Sequence, residues 1–358
     1  SEIELYIIPM LNPDGAEKHT RENSFNIDIN RDAVRKESYE SKLLWELAEN
    51  IKPIFAFNLH DQNSYYTAGR TNNTAAISLL APPIDYDKNV NDTRLKSMNV
   101  IVKIYETLAT FYPNNISRYN DDFEPRAFGD NFTINGISSI LIESGYLYND
   151  SDKSIIRKLN FVALVSALKA IADNDFNMNV EAKYFTIPEN YSMLFDLLIR
   201  NVYVEHNGKK FKIDIGIKRE KIFDLSSGKF YYTGKIAEVG DLSIYYGIEE
   251  YNLKGLYVEP AKIFDSGDNL AIPENESIKK MLREGIAYIR TSENNFNSFT
   301  NHPMNLIFSP NFNSMIASEE YANLIFYKDD KIKYIILNGF FEEVDNFQNK
   351  ILNGVVIH

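Results

Sequence analysis

Short apolar runs alternate with longer segments of helical periodicity from residue 1 to about residue 173. This alternation is typical of strands joined by crossover helices, and fully apolar runs suit a sheet that is covered on both faces. The predicted strands are 5–10, 54–59, 76–81 and 138–143. The predicted helices are 39–50, 94–111 and 153–172, the last of them capped by Asp152. The pattern therefore predicts an α/β domain.

A polar stretch follows Asp173, and the chain beyond it consists mainly of short alternating segments. We place a boundary near 174–182 and expect two domains, residues 1–175 and a mostly β accessory domain at 176–358. Its predicted strands include 201–205, 211–217, 231–236 and 333–337, with Asn207-Gly208 as a hairpin turn. Helices are predicted at 193–199 and 278–284. Residues 321–339 resemble the closing β-hairpin of amidohydrolase-type β domains, although Asp329-Asp330 between two apolar strands is enough to predict a hairpin.

Composition narrows the class of protein. The chain has 358 residues, 44% hydrophobic and 25% charged, which is long enough for two hydrophobic cores. Its formal net charge of -12 disfavours a nucleic-acid partner, because phosphates would be repelled. No window approaches the roughly 18 consecutive apolar residues that a membrane span needs.

Cysteine is absent. Disulfides and cysteine nucleophiles are therefore excluded, and a metal ion would have to be held by His, Asp or Glu. The absence of cysteine does not decide the compartment.

Polar motifs follow the first apolar run. The letters NPDG at 12–15 predict a turn, and DINRD at 28–32 places an amide, a guanidinium and two carboxylates among apolar residues. Such groups cost free energy when buried unless they have partners, and a functional site is one source of partners.

Taken with TREN at 20–23, these motifs resemble in order and spacing the M14 family of zinc metallocarboxypeptidases. The resemblance implies a mixed sheet with helices on both faces. It implies that Arg21 polarises the scissile carbonyl and that Asn30 and Arg31 bind the carboxylate of the substrate. It also implies that Asp28 supports a metal-bound histidine. These roles suit the chemistry, since a guanidinium fork matches a planar carboxylate.

Two further residues end apolar strands. His60, in FNLHDQ at 57–62, resembles the third zinc ligand of the family, and Glu143, in SILIESG at 139–145, resembles its general base. A single strand-end histidine or carboxylate is more often structural, so the prediction depends on five features occurring together in family order across residues 12–145.

A loop at 118–130 is where the family's substrate-covering tyrosine is expected, and Tyr119 is the nearest match. Arg126 in the same loop either contacts substrate or forms an ordinary ion pair with Glu124 or Asp130.

The family's remaining zinc ligands come from a His-x-x-Glu motif before the NPDG segment, and only eleven residues precede Asn12 here. The letters His19-Thr20-Arg21-Glu22 fit that motif but occupy the arginine segment. His206, His302 and His358 are predicted to be surface residues. We expect an N-terminus that is not the natural one, zinc in the complete protein, and weak zinc binding by this chain.

The leading hypothesis, which the resemblance implies, is a zinc-dependent carboxypeptidase-like hydrolase that cleaves the C-terminal peptide bond of a peptide by metal-activated water, with Glu143 as general base. The expected partner is a peptide or small amide substrate with a free carboxylate. One alternative is a zinc-free protein that binds peptide C-termini. Another is a hydrolase of small acylated amino acids or peptidoglycan stem peptides. Family habit suggests a secreted or periplasmic location.

Overall fold

The computed structural model describes residues 2–178, 180–265, 275–292, 298–347 and 353–358. It divides into two compact units, Ser1–Leu194 and Phe195–His358. In the described part, no helix combines the length and the apolar character needed to cross a membrane.

The first unit contains helices and strands in alternation, as the pattern predicts. Its described helices are α1 (Pro13–Lys18), α2 (Tyr39–Ile51), α3 (Asp92–Ala109), α4 (Phe128–Ile134), α5 (Ser154–Ala172) and α6 (Glu181–Tyr184). Its described strands are β1 (Phe55–Asp61), β2 (Tyr66–Ala68), β3 (Ile77–Leu80), β4 (Ile116–Arg118), β5 (Ser138–Ser144) and β6 (Asn190–Ser192). The predicted helices at 39–50, 94–111 and 153–172 and the predicted strands at 54–59, 76–81 and 138–143 are confirmed with shifts of one or two residues at their ends.

The main sheet of the first unit has the order β1-β5-β3-β4. Strands β1 and β5 are parallel, β3 is antiparallel to β5, and β4 is parallel to β3. The sheet is therefore mixed, and β1 lies at one edge of it.

Helices cover both faces of this sheet, because its strand residues alternate between two hydrophobic clusters. Phe57, Ile140 and Leu79 pack in one cluster with residues of α3 and α5. Ala56 packs in the other cluster, which contains Trp45 of α2 and residues of α4. Period-two alternation of this kind lets one strand contribute to two separate cores.

The NPDG segment begins a helix instead of forming an isolated turn. The Asn12 side chain accepts a hydrogen bond from the backbone N–H of Gly15 at 3.0 Å, and Pro13 is the first residue of α1. This is the usual arrangement of a helix N-terminus. Gly15 is required by close approach, since a Cβ there would lie 2.8 Å from the carbonyl oxygens of Thr20 and Glu22.

The main capping residue of α5 is Asp150, not the predicted Asp152. Asp152 accepts a hydrogen bond only from the N–H of Ser154 among the first-turn amides, whereas Asp150 accepts from those of Ile155 and Ile156 at 2.9 and 3.0 Å. Asp150 therefore satisfies two of the helix's unpaired donors.

The predicted strand at 5–10 is wrong. The segment has no assigned secondary structure, and Leu5, Ile7 and Met10 are 55%, 73% and 60% exposed. Its apolar composition suits a strand, but in the described part of the chain no other strand pairs with it. A strand needs a neighbour to satisfy its backbone groups.

Residues after the predicted boundary at 175/176 belong to the first unit, which ends at Leu194. The side chain of Tyr184 is fully buried in the cluster formed with α3 and α5, and β6 pairs with β2. The polar stretch that suggested the boundary, described over 174–178, thus lies inside the first unit.

The second unit is mostly β. Its described strands are β7 (Leu194–His206), β8 (Lys209–Asp224), β9 (Lys229–Gly240), β10 (Tyr246–Asn252), β11 (Tyr257–Pro260), β12 (Lys262–Asp265), β13 (Ile286–Arg290), β14 (Phe299–Thr300), β15 (Asn305–Ile307), β16 (Leu324–Lys328), β17 (Lys331–Leu337), β18 (Phe340–Glu343) and β19 (Gly354–Ile357). One sheet has the order β18-β17-β16-β11-β7-β8-β9, with β10 paired to β7, and another has the order β12-β13-β15-β19-β14. The predicted helix at 278–284 is confirmed as α7 (Asn275–Arg283), which begins three residues earlier and ends one residue earlier.

Turn chemistry in the second unit follows the sequence. Asn207 and Gly208 have φ values of 52° and 70° and join β7 to β8, and Asp329 and Asp330, at 51° and 58°, join β16 to β17. Two consecutive positive φ angles are the mark of a tight hairpin turn.

The predicted helix at 193–199 is wrong, because these residues lead into and form the buried first half of β7. Leu197, Leu198 and Ile199 are fully buried in the middle of the sheet. An apolar run without strict alternation fits a strand buried on both faces as well as a helix.

Arg94 on α3 is fully buried and is held by polar groups of the first unit. Its guanidinium donates to Asp121 at 2.9 Å and to the carbonyl oxygens of Ala81 and Lys88 at 3.1 and 2.6 Å. The contacts tie α3 to the ends of β3 and β4, and a buried charge of this kind is tolerated because its donors are satisfied.

The substitution Arg94→Met should lower the free energy of unfolding of the first unit by about 3 kcal/mol, because it leaves the buried Asp121 with fewer partners. Urea unfolding followed by the fluorescence of Trp45 measures this unit selectively, since Trp45 is the single tryptophan of the chain. Lys96→Met, which removes the same charge from α3 at a half-exposed position, is the control. Equal unfolding midpoints for the two variants would contradict the expectation.

Candidate functional site

The site is built on the parallel pairing of β1 with β5. His60 and Glu143 are direct partners in this register. Directly paired residues point to the same face of a sheet, with neighbouring strands about 4.8 Å apart. The imidazole and the carboxyl group therefore leave the sheet side by side, near the ends of the two strands.

Glu143 is buried, with 7% of its surface exposed. Burial raises the pKa of its carboxyl group to about 7, the negative charge of Asp61 adds to the increase, and the positive charge of Arg21 opposes it. A carboxyl group with this pKa exchanges its proton near neutral pH, as a general acid or base requires.

A polar row continues from Glu143 across the sheet. Ser78 pairs with Glu143 on one side and with Ser117 on the other. The two serine hydroxyl groups are 2.8 Å apart, and the Gln62 amide donates to the oxygen of Ser78 at 2.9 Å. This face of the sheet is therefore hydrogen-bonded and polar at the level of Glu143.

Arg21 influences the other candidate residues through its positive charge. Its Nε donates to the Asp28 carboxylate at 2.7 Å, and half of its side chain remains exposed. Its positive charge influences the pKa values of His60, Tyr119 and Glu143. Arg21 is thus electrostatically coupled to three other candidate residues.

His60 is kept neutral by its surroundings. Burial lowers the pKa of its imidazole, and the charges of Arg21 and Arg31 lower it further, whereas Asp28 opposes them. A neutral imidazole has a nitrogen lone pair available for a proton or a metal ion.

Asp28 makes its hydrogen bonds to Arg21 and to the backbone N–H of Asn30, and its charge is felt at His60. The Asn30 side-chain oxygen accepts from the N–H of Phe128 at 2.9 Å, where α4 begins. Arg31 donates through Nη1 to the carbonyl oxygen of Asn30 at 2.8 Å. The DINRD motif therefore has a structural role in addition to the role that the resemblance implies.

Tyr119 follows β4 and contacts Tyr66, with ring centroids 6.1 Å apart. Burial raises the pKa of the Tyr119 hydroxyl to about 12, and the nearby Tyr66 and Glu143 contribute. Both tyrosines, with Arg31, line a cavity of about 520 Å³. Tyr119 is therefore a neutral hydrogen-bonding group at the cavity wall.

Arg126 forms the loop ion pair. Its Nε and Nη2 donate to the two oxygens of Glu124 at 2.9 and 2.8 Å, and its side chain is 60% exposed. Glu124 also lies 3.1 Å from Nε of Arg31. Hydrogen bonds from Arg126 and the charge of Arg31 hold the pKa of Glu124 at about 2, so it stays ionised.

A complete zinc site cannot be built from the described residues alone. Within 2–178, 180–265, 275–292, 298–347 and 353–358, no group of three or more His, Cys, Asp or Glu side chains has the arrangement to hold a metal ion. A structural zinc ion requires four ligands and a catalytic one three protein ligands, so His60 would need partners other than these.

The three histidines of the second unit differ in exposure. His206 and His358 are exposed, as predicted. His302 is half-buried, and its Nδ1 accepts from the N–H of Met304 at 3.2 Å. Burial lowers the pKa of the His302 imidazole, which corrects its prediction as a surface residue.

Several polar residues of the site were not singled out from the sequence. Tyr66, Gln62, Asn190 and Ser78 all lie near Glu143 or the cavity, and the Asn190 amide donates to Gln62 at 3.2 Å. The sequence contains a signal for Gln62, because Gln62 follows His60 by two residues and residues at this spacing along an extended strand point to the same face of the sheet. For Asn190 there was none, since β6 is far along the chain.

Comparison with known proteins assigns no family. No family model matches the sequence, and no curated protein matches it. Solved structures that resemble part of the chain include a D-aminoacylase studied for its binuclear metal centre (19% identity, TM-score 0.21, covering 28% of this chain and 19% of that one). Another is the N-acyl-D-glutamate deacylase of Bordetella bronchiseptica with zinc and a phosphonate inhibitor (20% identity, TM-score 0.21, 28% and 19%).

A further D-aminoacylase structure, described as defining a subset of amidohydrolases, has 19% identity and a TM-score of 0.19, and the match covers 27% of this chain and 18% of that one. The chain spans less than a fifth of the length of each of these proteins. Similarity of this size gives no basis for assigning a fold or an activity.

The buried carboxyl group of Glu143 predicts a pH-dependent stability. In the unfolded chain a glutamate has a pKa of about 4.3, so between that pH and about 7 the folded protein binds one proton more than the unfolded chain. Its free energy of unfolding then falls as pH rises through this window. Glu143→Gln cannot ionise, so its free energy of unfolding does not contain this pH-dependent loss. The difference in free energy of unfolding between the variant and the wild type should therefore increase in favour of the variant by about 2 kcal/mol from pH 5 to pH 8.

Urea unfolding followed by Trp45 fluorescence at both pH values measures this difference. The exposed Glu49, changed to Gln, controls for the loss of one charge. Parallel pH curves for the wild type and Glu143→Gln would show that the carboxyl group ionises normally in the folded protein.

Proposed function

We propose that the first unit is a hydrolase that cleaves an amide bond next to a free carboxylate, as the M14-type motifs suggest. The register of β1 with β5 carries this proposal, because it sets His60 beside Glu143 while Arg21 acts electrostatically on both. Short peptides, N-acylated amino acids and peptidoglycan stem peptides all contain the required bond.

Each proposed role follows from the burial, charge or position of the side chain. Glu143, with a pKa of about 7 caused by burial, takes a proton from the attacking water and passes it to the leaving amine. Arg21 stabilises the charge that develops on the carbonyl oxygen. Arg31 and Asn30 bind the carboxylate, and Tyr119 donates a hydrogen bond to the substrate.

The described residues do not by themselves complete a zinc site, and the proposed steps are those of this chain's own side chains. Proton transfer by Glu143 and charge stabilisation by Arg21 are the contributions that this chain itself supplies. For the second unit we propose a supporting or substrate-recognition role.

The first test is hydrolysis. The protein, with and without added zinc, is incubated with N-acetylated amino acids, with short peptides and with their C-terminal carboxamides, and released amines are measured by mass spectrometry. We expect cleavage of the free carboxylates only, and a loss of at least about 100-fold in Glu143→Gln, as for removal of a general base. Equal cleavage of the carboxamides would contradict the proposed carboxylate site.

A second candidate is a protein that binds such carboxylates without cleaving them. The ion pairs of Arg21 with Asp28 and of Arg31 with Glu124 favour it, because both guanidinium groups already hold a carboxylate in the folded chain. Such a protein would bind an N-acetylated amino acid saturably and release no amine from it.

Arg31→Met separates carboxylate binding from non-specific association. We expect the variant to bind the free carboxylate about tenfold more weakly and the carboxamide unchanged, because a charged hydrogen bond is lost. Arg35→Met, which removes an exposed positive charge from the same segment, is the control. An equal effect of both variants, measured by calorimetry, would exclude Arg31 as the carboxylate ligand.

A further inference from the structure

Glu124 makes contacts that resemble those of a bound ligand carboxylate. One of its oxygens lies 2.8 Å from Nη2 of Arg126 and 3.1 Å from Nε of Arg31, and its other oxygen accepts from Nε of Arg126 at 2.9 Å. A carboxylate bound by the fork of one arginine and shared with a second is a strong charge-assisted arrangement. Here the carboxylate belongs to the chain itself.

The loop holds Glu124 in this position. Its backbone N–H donates to Asp130 at 3.1 Å, and its carbonyl oxygen accepts from Ala127 at 2.9 Å. Two residues further on, the carbonyl oxygen of Arg126 accepts from the N–H of Ala33 at 3.1 Å, next to the DINRD motif. The Glu124 side chain is therefore presented to Arg31 by a fixed backbone.

Other acidic groups at the same cavity are paired elsewhere. Asp122 contacts Lys88 at 3.1 Å and Asn120 at 2.8 Å, and Glu189 contacts Arg118 at 3.5 Å. Among the acidic residues that line this cavity, Glu124 is thus the one in contact with Arg31.

We propose that Glu124 is an internal competitor for Arg31, so that it sets the affinity and selectivity of the site for carboxylate ligands. This inference rests on the proposed role of Arg31 as the carboxylate-binding residue. An incoming carboxylate must take the place of Glu124 on Nε of Arg31, while Arg126 keeps the displaced Glu124 charge paired. Ligands that also contact the cavity wall, for example at Tyr66 and Tyr119, then bind well. Small anions lack these contacts and do not displace Glu124.

The experiment compares two ligands on matched variants of the full chain. Isothermal calorimetry measures the dissociation constants of N-acetyl-phenylalanine and of its carboxamide for the wild type, Glu124→Gln and Asp122→Asn. Asp122→Asn removes the same charge from the same cavity, and Asp122 does not contact Arg31. This variant therefore measures the effect of losing one negative charge from the cavity in general. Trp45 fluorescence during unfolding verifies that each variant is folded.

We expect Glu124→Gln to bind the carboxylate about fivefold more tightly, as loss of a partly exposed competing ion pair would give. The carboxamide should bind all three proteins equally, and Asp122→Asn should change the carboxylate affinity less than twofold because solvent screens its charge. A purely structural role of Glu124 would not improve binding of the carboxylate alone. Glu124→Ala, which has no side-chain hydrogen bond at this position, should also bind the carboxylate more tightly than the wild type. It replaces the glutamine variant in the experiment if that variant fails to fold.

Weaker or unchanged carboxylate binding in both Glu124 variants would overturn the inference, because Glu124 would then orient Arg31 or have no influence on it. A different outcome tests the proposed function itself. If the wild type and the Glu124 variants fail to distinguish the carboxylate from the carboxamide, Arg31 does not bind carboxylates and both proposals fall.

Discussion

The candidate site depends on the parallel pairing of β1 with β5. This register sets His60 against Glu143, and a shift by one residue would place them on opposite faces of the sheet. Apolar residues on the other face, among them Phe57 and Ile142, pack against α3 and α5 and so fix the register. The hydrophobic core of the first unit thereby determines the geometry of its polar face.

Burial and charge act together on that face. Burial raises the pKa of Glu143 and lowers that of His60, because the cost of burying a charge favours the uncharged form of each group. Arg21 opposes the first shift and adds to the second. The guanidinium groups are themselves neutralised in part, Arg21 by Asp28 and Arg31 by Glu124. The site is a balanced set of charges rather than a strongly positive cavity.

The sequence was informative where a local pattern determines the structure. The strands that carry His60 and Glu143 were predicted because each is an apolar run that ends in charged residues. The residues at 5–10 have the same composition but form no strand, because pairing depends on a neighbour that composition does not reveal. The run at 193–199 was assigned to the wrong element, since a strand buried on both faces lacks alternation.

The contacts between loops were beyond prediction from sequence. Arg31 and Glu124 are 93 positions apart along the chain, and only the folded unit brings them to 3.1 Å. For Arg126 the sequence predicts either a substrate contact or an ion pair with Glu124 or Asp130, and the structure contains the pair with Glu124. Tyr119 was found through a resemblance, and its contact with Tyr66 required the structure.

The position of β1 at the end of its sheet has a consequence for association. Ile54, which precedes this strand, and Leu59 within it are 62% and 57% exposed, and among the described strands β1 pairs with β5 alone. An exposed apolar edge of this kind is a template on which another extended segment can add by backbone hydrogen bonds. A segment that docked there would become the immediate neighbour of His60, so assembly at this edge and the chemistry of the imidazole would be physically linked.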